Sequence, residues 1–239
     1  MQDGTILSGD SRIYYQIEGR GEKEILFLHG NGENLHIFDM ITRKLSPLYR
    51  ICRMDSRCHG RSTGLPNTLT INKMAEDVVC LIKTLGLNKP HLIGFSDGAN
   101  IAIQVALGHS HLIDKLVLAG ANLAPDGLLP KILFQLWTEE RILKLKKKCG
   151  ALVDRELALL ALMTNQPSFT PEMLQNIQAK TLVIAGEHDM IRREHTYQIA
   201  KAIPEACLRI IPENDHFVFS RRLNRLLEVL LPFLKEDEE

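Results

Sequence analysis

Leu92-Ile93-Gly94-Phe95-Ser96-Asp97-Gly98-Ala99-Asn100-Ile101-Ala102 is the stretch on which the fold turns. A short apolar run enters a Gly-x-Ser-x-Gly pentapeptide, and a helix-forming stretch, Ala99 to Ala106, leaves it. The pattern reads as a nucleophile elbow, in which a strand reverses into a helix and holds one serine in a strained conformation with its hydroxyl above the sheet edge. Gly94 and Gly98 fit because a side chain at either position would crowd the neighbouring strand and helix. Taken alone, Ser96 could equally be an ordinary turn serine, so its context decides.

Working outward, the elements on either side alternate. Thr5-Ile6-Leu7 and Arg12 to Ile17, separated by Ser8-Gly9-Asp10-Ser11, predict an opening hairpin. Glu24-Ile25-Leu26-Phe27-Leu28 is continuously apolar after its first residue and ends in His29-Gly30-Asn31-Gly32. Unalternating strands of this kind belong to sheets covered on both faces. Further strands are expected at Arg50 to Met54, His91-Leu92-Ile93, Lys115 to Ala119, Thr181 to Ala185 and Leu208 to Ile211. Ile71 to Leu87 predicts a helix, with Thr70 as its cap, Met74, Val78, Leu81 and Leu85 on one face, and Gly86 at its end. Strand-helix alternation implies an α/β fold with a mostly parallel, doubly wound sheet of about eight strands. The whole chain, 1–239, is expected to form a single domain, since a chain of this length can bury one sizeable core.

Between Asn122 and about Gln178 the alternation stops, and helical stretches follow one another: Leu128 to Lys147, Asp154 to Thr164 and Pro171 to Ile177. Thr170-Pro171-Glu172 supplies a capping hydroxyl and a proline at the first helical position. This segment, about 123–178, is expected to be a helical insertion. A last helix, Arg222 to Leu234, ends in the solvated Lys235-Glu236-Asp237-Glu238-Glu239.

Composition narrows the function classes. Lys+Arg and Asp+Glu both total 29, so no net field favours nucleic acid or an anionic membrane. The five cysteines, Cys52, Cys58, Cys80, Cys149 and Cys207, are odd in number, lack CxxC spacing and fit a reducing compartment. With no basic-then-apolar leader and no long apolar run, a soluble cytoplasmic protein is the expectation.

A serine hydroxyl is a poor nucleophile at neutral pH, so Ser96 needs a base within hydrogen-bond reach and an acid to orient that base. His216, just past the last expected strand, and Asp189, just past the one before it, are the candidates. Glu187 competes with Asp189 as the acid. The negative charge that develops on a carbonyl under attack needs fixed donors, for which the backbone N–H groups of Asn31 and Asp97 are placed. Asp97 lies at a helix N-terminus, where its carboxylate is favoured in any case.

The chain resembles the α/β-hydrolase superfamily, in the branch of small esterases, lactonases and biphenyl-hydrolase-like enzymes. The elbow, the His29-Gly30 loop, Gly186-Glu187-His188-Asp189 and Asp215-His216 carry the likeness, in the chain order serine, aspartate, histidine. Asp55-Ser56-Arg57-Cys58-His59-Gly60-Arg61-Ser62 resembles the family's D-x-R-G-H-G-x-S loop, with Cys58 where glycine is usual. The resemblance implies an acyl-enzyme on Ser96 released by water, no metal or organic cofactor, and a small-molecule ester, thioester or lactone substrate. C–C bond hydrolysis or lyase chemistry on the same triad, or a receptor that turns its ligand over slowly, are the alternatives. The insertion corresponds to the family's cap.

Several residues carry two readings. The Asp97 carboxylate either pairs with a substrate ammonium group, as the biphenyl-hydrolase-like members suggest, or braces the helix start. Phe134 and Trp137, with Leu133, either line an apolar substrate pocket or pack the insertion onto the main body. Lys144, Lys146, Lys147 and Lys148 read as a solvated helix face. His29 and His59 read as loop-bracing residues, and a metal cluster around Glu187, His188 and Asp189 is disfavoured for want of a second ligand pair.

Overall fold

The computed structural model describes residues 2–236, so the acidic end at 237–239 lies outside it. In chain order the elements are β1 (Gln2–Ser8), β2 (Ser11–Glu18), β3 (Glu24–Leu28), α1 (Asp39–Leu45), β4 (Arg50–Met54), α2 (Ile71–Leu85), β5 (His91–Phe95) and α3 (Asp97–His109). They continue with β6 (Lys115–Ala119), α4 (Pro130–Lys148), α5 (Asp154–Asn165), α6 (Pro171–Leu174), β7 (Lys180–His188), α7 (Arg193–Ala202), β8 (Cys207–Asp215) and α8 (Leu223–Lys235). The sheet has eight strands in the order β1-β2-β4-β3-β5-β6-β7-β8. β1 and β2 form an antiparallel edge, and every pairing from β4 onward to β8 is parallel.

That order places the site. The chain steps from β3 outward to β4, then returns to pair β5 on the other side of β3. Such a reversal is a topological switch point, where the loops leaving adjacent strands diverge and open a crevice at their carboxyl ends. Here the diverging loops are the one after β3, which holds Asn31, and the turn after β5, which holds Ser96.

The apolar strands are covered on both faces because their side chains alternate between two cores. Ile25, Phe27, Ile93 and Phe95 pack with Ile41 of α1 and Leu226, Leu230 and Phe233 of α8. Leu26, Leu28, Leu92 and Leu116 pack with residues of α2, α3 and α7 on the opposite face. α2 has the start and stop that its sequence implies. Thr70 accepts a hydrogen bond from the Lys73 N–H at 3.1 Å, and Gly86 ends the helix in the left-handed region at φ 62°. α1 and α7 complete the layers without a side-chain cap, which is why they leave little mark in the sequence.

The loop after β4 is held from within. The Asp55 carboxylate accepts the N–H groups of Leu35 and Arg61, each at 2.8 Å. Arg57 forms a two-pronged pair with Asp77 of α2 at 2.7 and 2.8 Å, both side chains essentially buried. Cys58, standing where glycine is usual, takes the left-handed conformation at φ 61° and is itself buried. The loop keeps its shape despite that residue, at the cost of a strained backbone.

Between β6 and β7 the chain forms α4, α5 and α6 with no intervening strand. Leu136 and Leu143 of α4 join Leu160 of α5, Leu128, Val153 and Ile191 in a third, smaller core. Among the described residues no helix is long and apolar enough to cross a membrane.

Candidate active site

Ser96 sits between β5 and α3 at φ 54° and ψ −123°, a conformation a side chain adopts only when its surroundings impose it. The surroundings do impose it. The Ser96 N–H donates to the Ala119 carbonyl of β6 at 2.8 Å. A Cβ added at Gly94 would fall 2.3 Å from the Gly98 carbonyl oxygen, and one at Gly98 would fall 2.1 Å from that of Leu28. Strand and helix therefore close on one another tightly enough to leave the intervening serine no relaxed alternative.

β7 and β8 run past their apolar centres, with a register irregularity between Gly186 and His188, and deliver Asp189 and His216 to the same end of the sheet. Asp189 accepts the Ile191 N–H on Oδ1 at 2.9 Å and the Gly186 N–H on Oδ2 at 3.3 Å. His216 Nδ1 lies 2.6 Å from Asp189 Oδ1, and its Nε2 lies 2.9 Å from Ser96 Oγ. Because the carboxylate can only accept, Nδ1 carries the proton and Nε2 is left to accept from the serine hydroxyl. The imidazole is buried and rests on the Phe95 ring, centroid to centroid 5.0 Å. A buried imidazolium formed beside Asp189 would be stabilised by that carboxylate with little competition from water.

Glu187 faces elsewhere and accepts the Glu213 N–H at 2.8 Å. His29 is fully enclosed and accepts the Ser56 N–H at 3.0 Å; burial and the neighbouring His59 lower its pKa to about 3, so it stays neutral. His59 Nδ1 lies 2.8 Å from the Arg57 carbonyl.

The loop after β3 abuts the serine, since a Cβ on Gly30 would lie 3.0 Å from Ser96 Cβ. Asn31 follows directly, and Asp97 is the first residue of α3, whose leading N–H groups have no acceptor within the helix. The Asp97 carboxylate is buried and accepts from the side-chain amides of Asn31 at 2.9 Å and Asn100 at 3.2 Å. Burial raises its pKa, against the pull of those two donors and of His216. Asn100 also donates to Asn122 Oδ1 at 2.9 Å, and Asn31 to the Leu159 carbonyl of α5 at 2.9 Å, so the network reaches the helical insertion.

Glu33 escapes a reading by spacing, being a loop acid two residues beyond Asn31. Its Oε2 accepts the Gly30 N–H at 3.0 Å, and its pKa is raised by burial and lowered by that bond and by His216. Glu33 thus joins Asp189 and Asp97 as a third carboxylate whose charge the imidazole feels.

The pocket at Ser96 is lined by Asp97, Asn122, Leu128, Met163, Met190 and Ile191, among others. It offers about 10 Å³, room for roughly one water molecule. Phe134 and Trp137 are not part of it. They lie on the outer face of α4, 66% and 49% exposed, stacked on one another at 5.9 Å. Neither the Ser96 pocket nor the insertion's core takes them up; Leu128, Met163, Met190 and Ile191 form the apolar wall at Ser96 instead.

The alpha/beta hydrolase fold family model matches residues 23–173. In sequence the chain is similar to a 2-hydroxy-6-oxononadienedioate/2-hydroxy-6-oxononatrienedioate hydrolase of Pseudomonas putida, 26% identical over 95% of this chain and 92% of that one. It is similar at 26% identity to a pimeloyl-[acyl-carrier protein] methyl ester esterase of Pectobacterium carotovorum, over 90% of this chain and 85% of the relative. In structure it is similar to Est816, described as an N-acyl homoserine lactone degrading enzyme, with a TM-score of 0.82, 25% identity, and coverage of 96% of this chain and 100% of that chain. With the family model spanning well over half its length and an eight-stranded sheet of the matching kind, the chain belongs to the alpha/beta hydrolase fold family, and it is a hydrolase.

Proposed function

We propose that the chain hydrolyses a small carboxylic ester, thioester or lactone through an acyl-enzyme on Ser96. His216 takes the Ser96 proton as Oγ attacks the carbonyl carbon, then returns it to the leaving oxygen or sulfur. Asp189 holds the imidazole in the tautomer that can accept and stabilises the imidazolium that forms. The N–H groups of Asn31 and Asp97 receive the oxyanion. Water, deprotonated by His216, releases the acid and restores Ser96. The insertion of about 123–178 acts as a cap over the pocket.

The observation that carries this reading is the unbroken relay from Ser96 Oγ to His216, 2.9 Å, and on to Asp189, 2.6 Å, with the serine in its strained turn. The wall of Leu128, Met163, Met190 and Ile191 is apolar and suits an uncharged acyl group once the insertion moves off it, since the pocket as it stands has room for about one water. C–C bond hydrolysis is the second reading, favoured by the likeness to the Pseudomonas putida relative. That relative's name describes a dicarboxylate substrate, whereas here Asp97 lines the pocket and Glu33 stands close by, both of a sign that repels one. Asp97, whose carboxylate has two amide donors and no Lys or Arg ion pair among the described residues, is further proposed as a subsite for a substrate ammonium group.

The test is to incubate wild type and Ser96→Ala with a fluorophosphonate probe and a panel of short p-nitrophenyl esters, alongside a vinylogous diketone carboxylate. Labelling and ester turnover in the wild type alone are expected. Failure of the wild type to label or to cleave any ester would reject the esterase reading, and turnover of the diketone alone would select C–C chemistry. Amino-acid esters compared with their des-amino analogues, in wild type and Asp97→Asn, decide the ammonium subsite; equal discrimination in both removes it.

A further inference from the structure

α4 is apolar on two faces, which a helix with one partner does not need. Leu136 and Leu143 point inward to the small core shared with α5. Phe134, Trp137 and Leu145 recur at helical spacing on the outer side, where they are 66%, 49% and 62% exposed. Leu152, just past the helix, is 96% exposed and extends the same end of the insertion. Isolated apolar side chains on a surface need no explanation, but a stacked aromatic pair with Leu145 about two turns further along, Trp137 and Leu145 lining one depression, is a patch.

The charge around this patch is one-sided although the chain as a whole is balanced. α4 carries Lys131, Arg141, Lys144, Lys146, Lys147 and Lys148 against only Glu139 and Glu140. Glu140 holds Lys144 at 2.8 Å and Asp154 holds Lys147, while Lys131, Lys146 and Lys148 have no ion pair among the described residues. The Arg141 guanidinium lies over the Trp137 ring at 4.4 Å, which places a cation directly against the apolar patch. Trp137, Glu140, Arg141, Lys144, Leu145 and Lys148 share one open depression of about 410 Å³, with three cations against one carboxylate.

Aromatic and aliphatic side chains flanked by lysine and arginine on one exposed helix face suit contact with a membrane interface. The rings and leucine occupy the boundary between headgroups and acyl chains, and the ammonium groups meet lipid phosphates and carboxylates. A second copy of the chain is the poorer occupant. A two-fold contact would set this patch against itself and bring the unpaired lysines of both copies together. We infer that the outer face of α4 docks on an anionic lipid bilayer, with Phe134, Trp137 and Leu145 as anchors and Lys131, Lys146 and Lys148 as the electrostatic contacts. The surface is separate from the Ser96 pocket, and the inference does not depend on which bond the site cleaves.

Trp137 is the single tryptophan of the chain, so its emission reads this surface and no other. The full-length protein is titrated with vesicles of phosphatidylcholine containing about 30 mol % phosphatidylserine, with pure phosphatidylcholine vesicles, and with the anionic vesicles in high salt. A blue shift of Trp137 and its quenching by brominated acyl chains are expected with the anionic vesicles at low salt, with binding at least about tenfold weaker in the other two arms. Lys146→Gln with Lys148→Gln is expected to weaken binding by about twenty-fivefold, and Phe134→Ser by about tenfold. Circular dichroism verifies that the variants are folded, and the three wild-type arms decide the matter even if a variant is not. No shift with anionic vesicles, or an equal shift with neutral ones, overturns the inference. So does concentration-dependent self-association in solution that Phe134→Ser abolishes, with no vesicle binding, since it assigns the face to a second copy.

Discussion

The Asn31 side-chain amide donates to the Asp97 carboxylate at 2.9 Å, joining the loop after β3 to the first residue of α3 on the far side of the serine. The same nitrogen donates to the Leu159 carbonyl of α5, again at 2.9 Å, so one amide ties together the two loops of the crevice and the helical insertion above them. A bracing role is thereby visible for both side chains, separate from the proposed role of their backbone N–H groups.

Asn31→Ala keeps the backbone N–H while removing both side-chain bonds. The buried Asp97 carboxylate then loses one of its two amide donors, and a stability loss of about 1–3 kcal/mol is expected in urea unfolding. Ester turnover should fall with it if the loop carries the proposed oxyanion donor. Unchanged turnover and unchanged stability together would show that the bridge positions nothing.

Ser96 is held at φ 54°, so a glycine there should relax the turn. Strain relief of about 1–3 kcal/mol, less the added chain entropy of glycine, leaves Ser96→Gly more stable than wild type by about 1 kcal/mol. A rise of roughly 2–4 °C in melting temperature is expected, with Ser96→Ala showing no such gain. Both variants should be inert toward the fluorophosphonate probe.

Arg57 and Asp77 form a buried pair remote from the relay. Arg57→Ala leaves the enclosed Asp77 carboxyl without its partner, and should cost about 3–5 kcal/mol. The double replacement Arg57→Met with Asp77→Leu should recover most of that loss, because no buried charge is stranded. A double-mutant cycle by chemical denaturation checks both values.

Acid stability should be governed in part by two neutral histidines. Burial lowers the pKa of His29 to about 3 and of His91 to about 4, from 6.5. Between pH 6.5 and those values the unfolded chain binds protons that the folded chain refuses. Stability is therefore full above about pH 6.5 and falls as pH drops through this window, by up to about 1.4 kcal/mol per pH unit for each histidine. Asp97 and Glu33, whose folded pKa values are raised, act in the opposite sense near the acid end, contributing stability that is lost as pH rises. His91→Phe, which removes two ring nitrogens that lack hydrogen-bond partners, should flatten the slope. Urea unfolding at several pH values measures it.

Much of the frame can be read from the chain because it rests on local rules. Glu24–Leu28 and Lys115–Ala119 follow their apolar runs after a charged first residue, as strands covered on both faces do, whereas Arg50–Met54 encloses Arg53 by pairing it with Glu18 and Asp39. Thr70 and Gly86 bound α2 because capping and a left-handed stop are chemistry of one turn. Ser96, Asp189 and His216 stand at strand ends, and parallel strands bring their ends to a common edge.

What the chain alone could not decide is where a side chain points when two directions are equally apolar or equally polar. Phe134 and Trp137 occupy helical positions as suited to a pocket as to solvent, and only the packing of Leu136 and Leu143 onto the insertion's own core turns them outward. Glu33 and Asn100 meet Gly30 and Asp97 locally, three residues away in the same loop or helix, but it is the crossing of loop and helix at the switch point that brings Asn31 onto Asp97 and Asn122 onto Asn100. Periodicity records which residues share a face within one element; which face meets the site depends on contacts between elements far apart in sequence, and these exist only once the chain has folded.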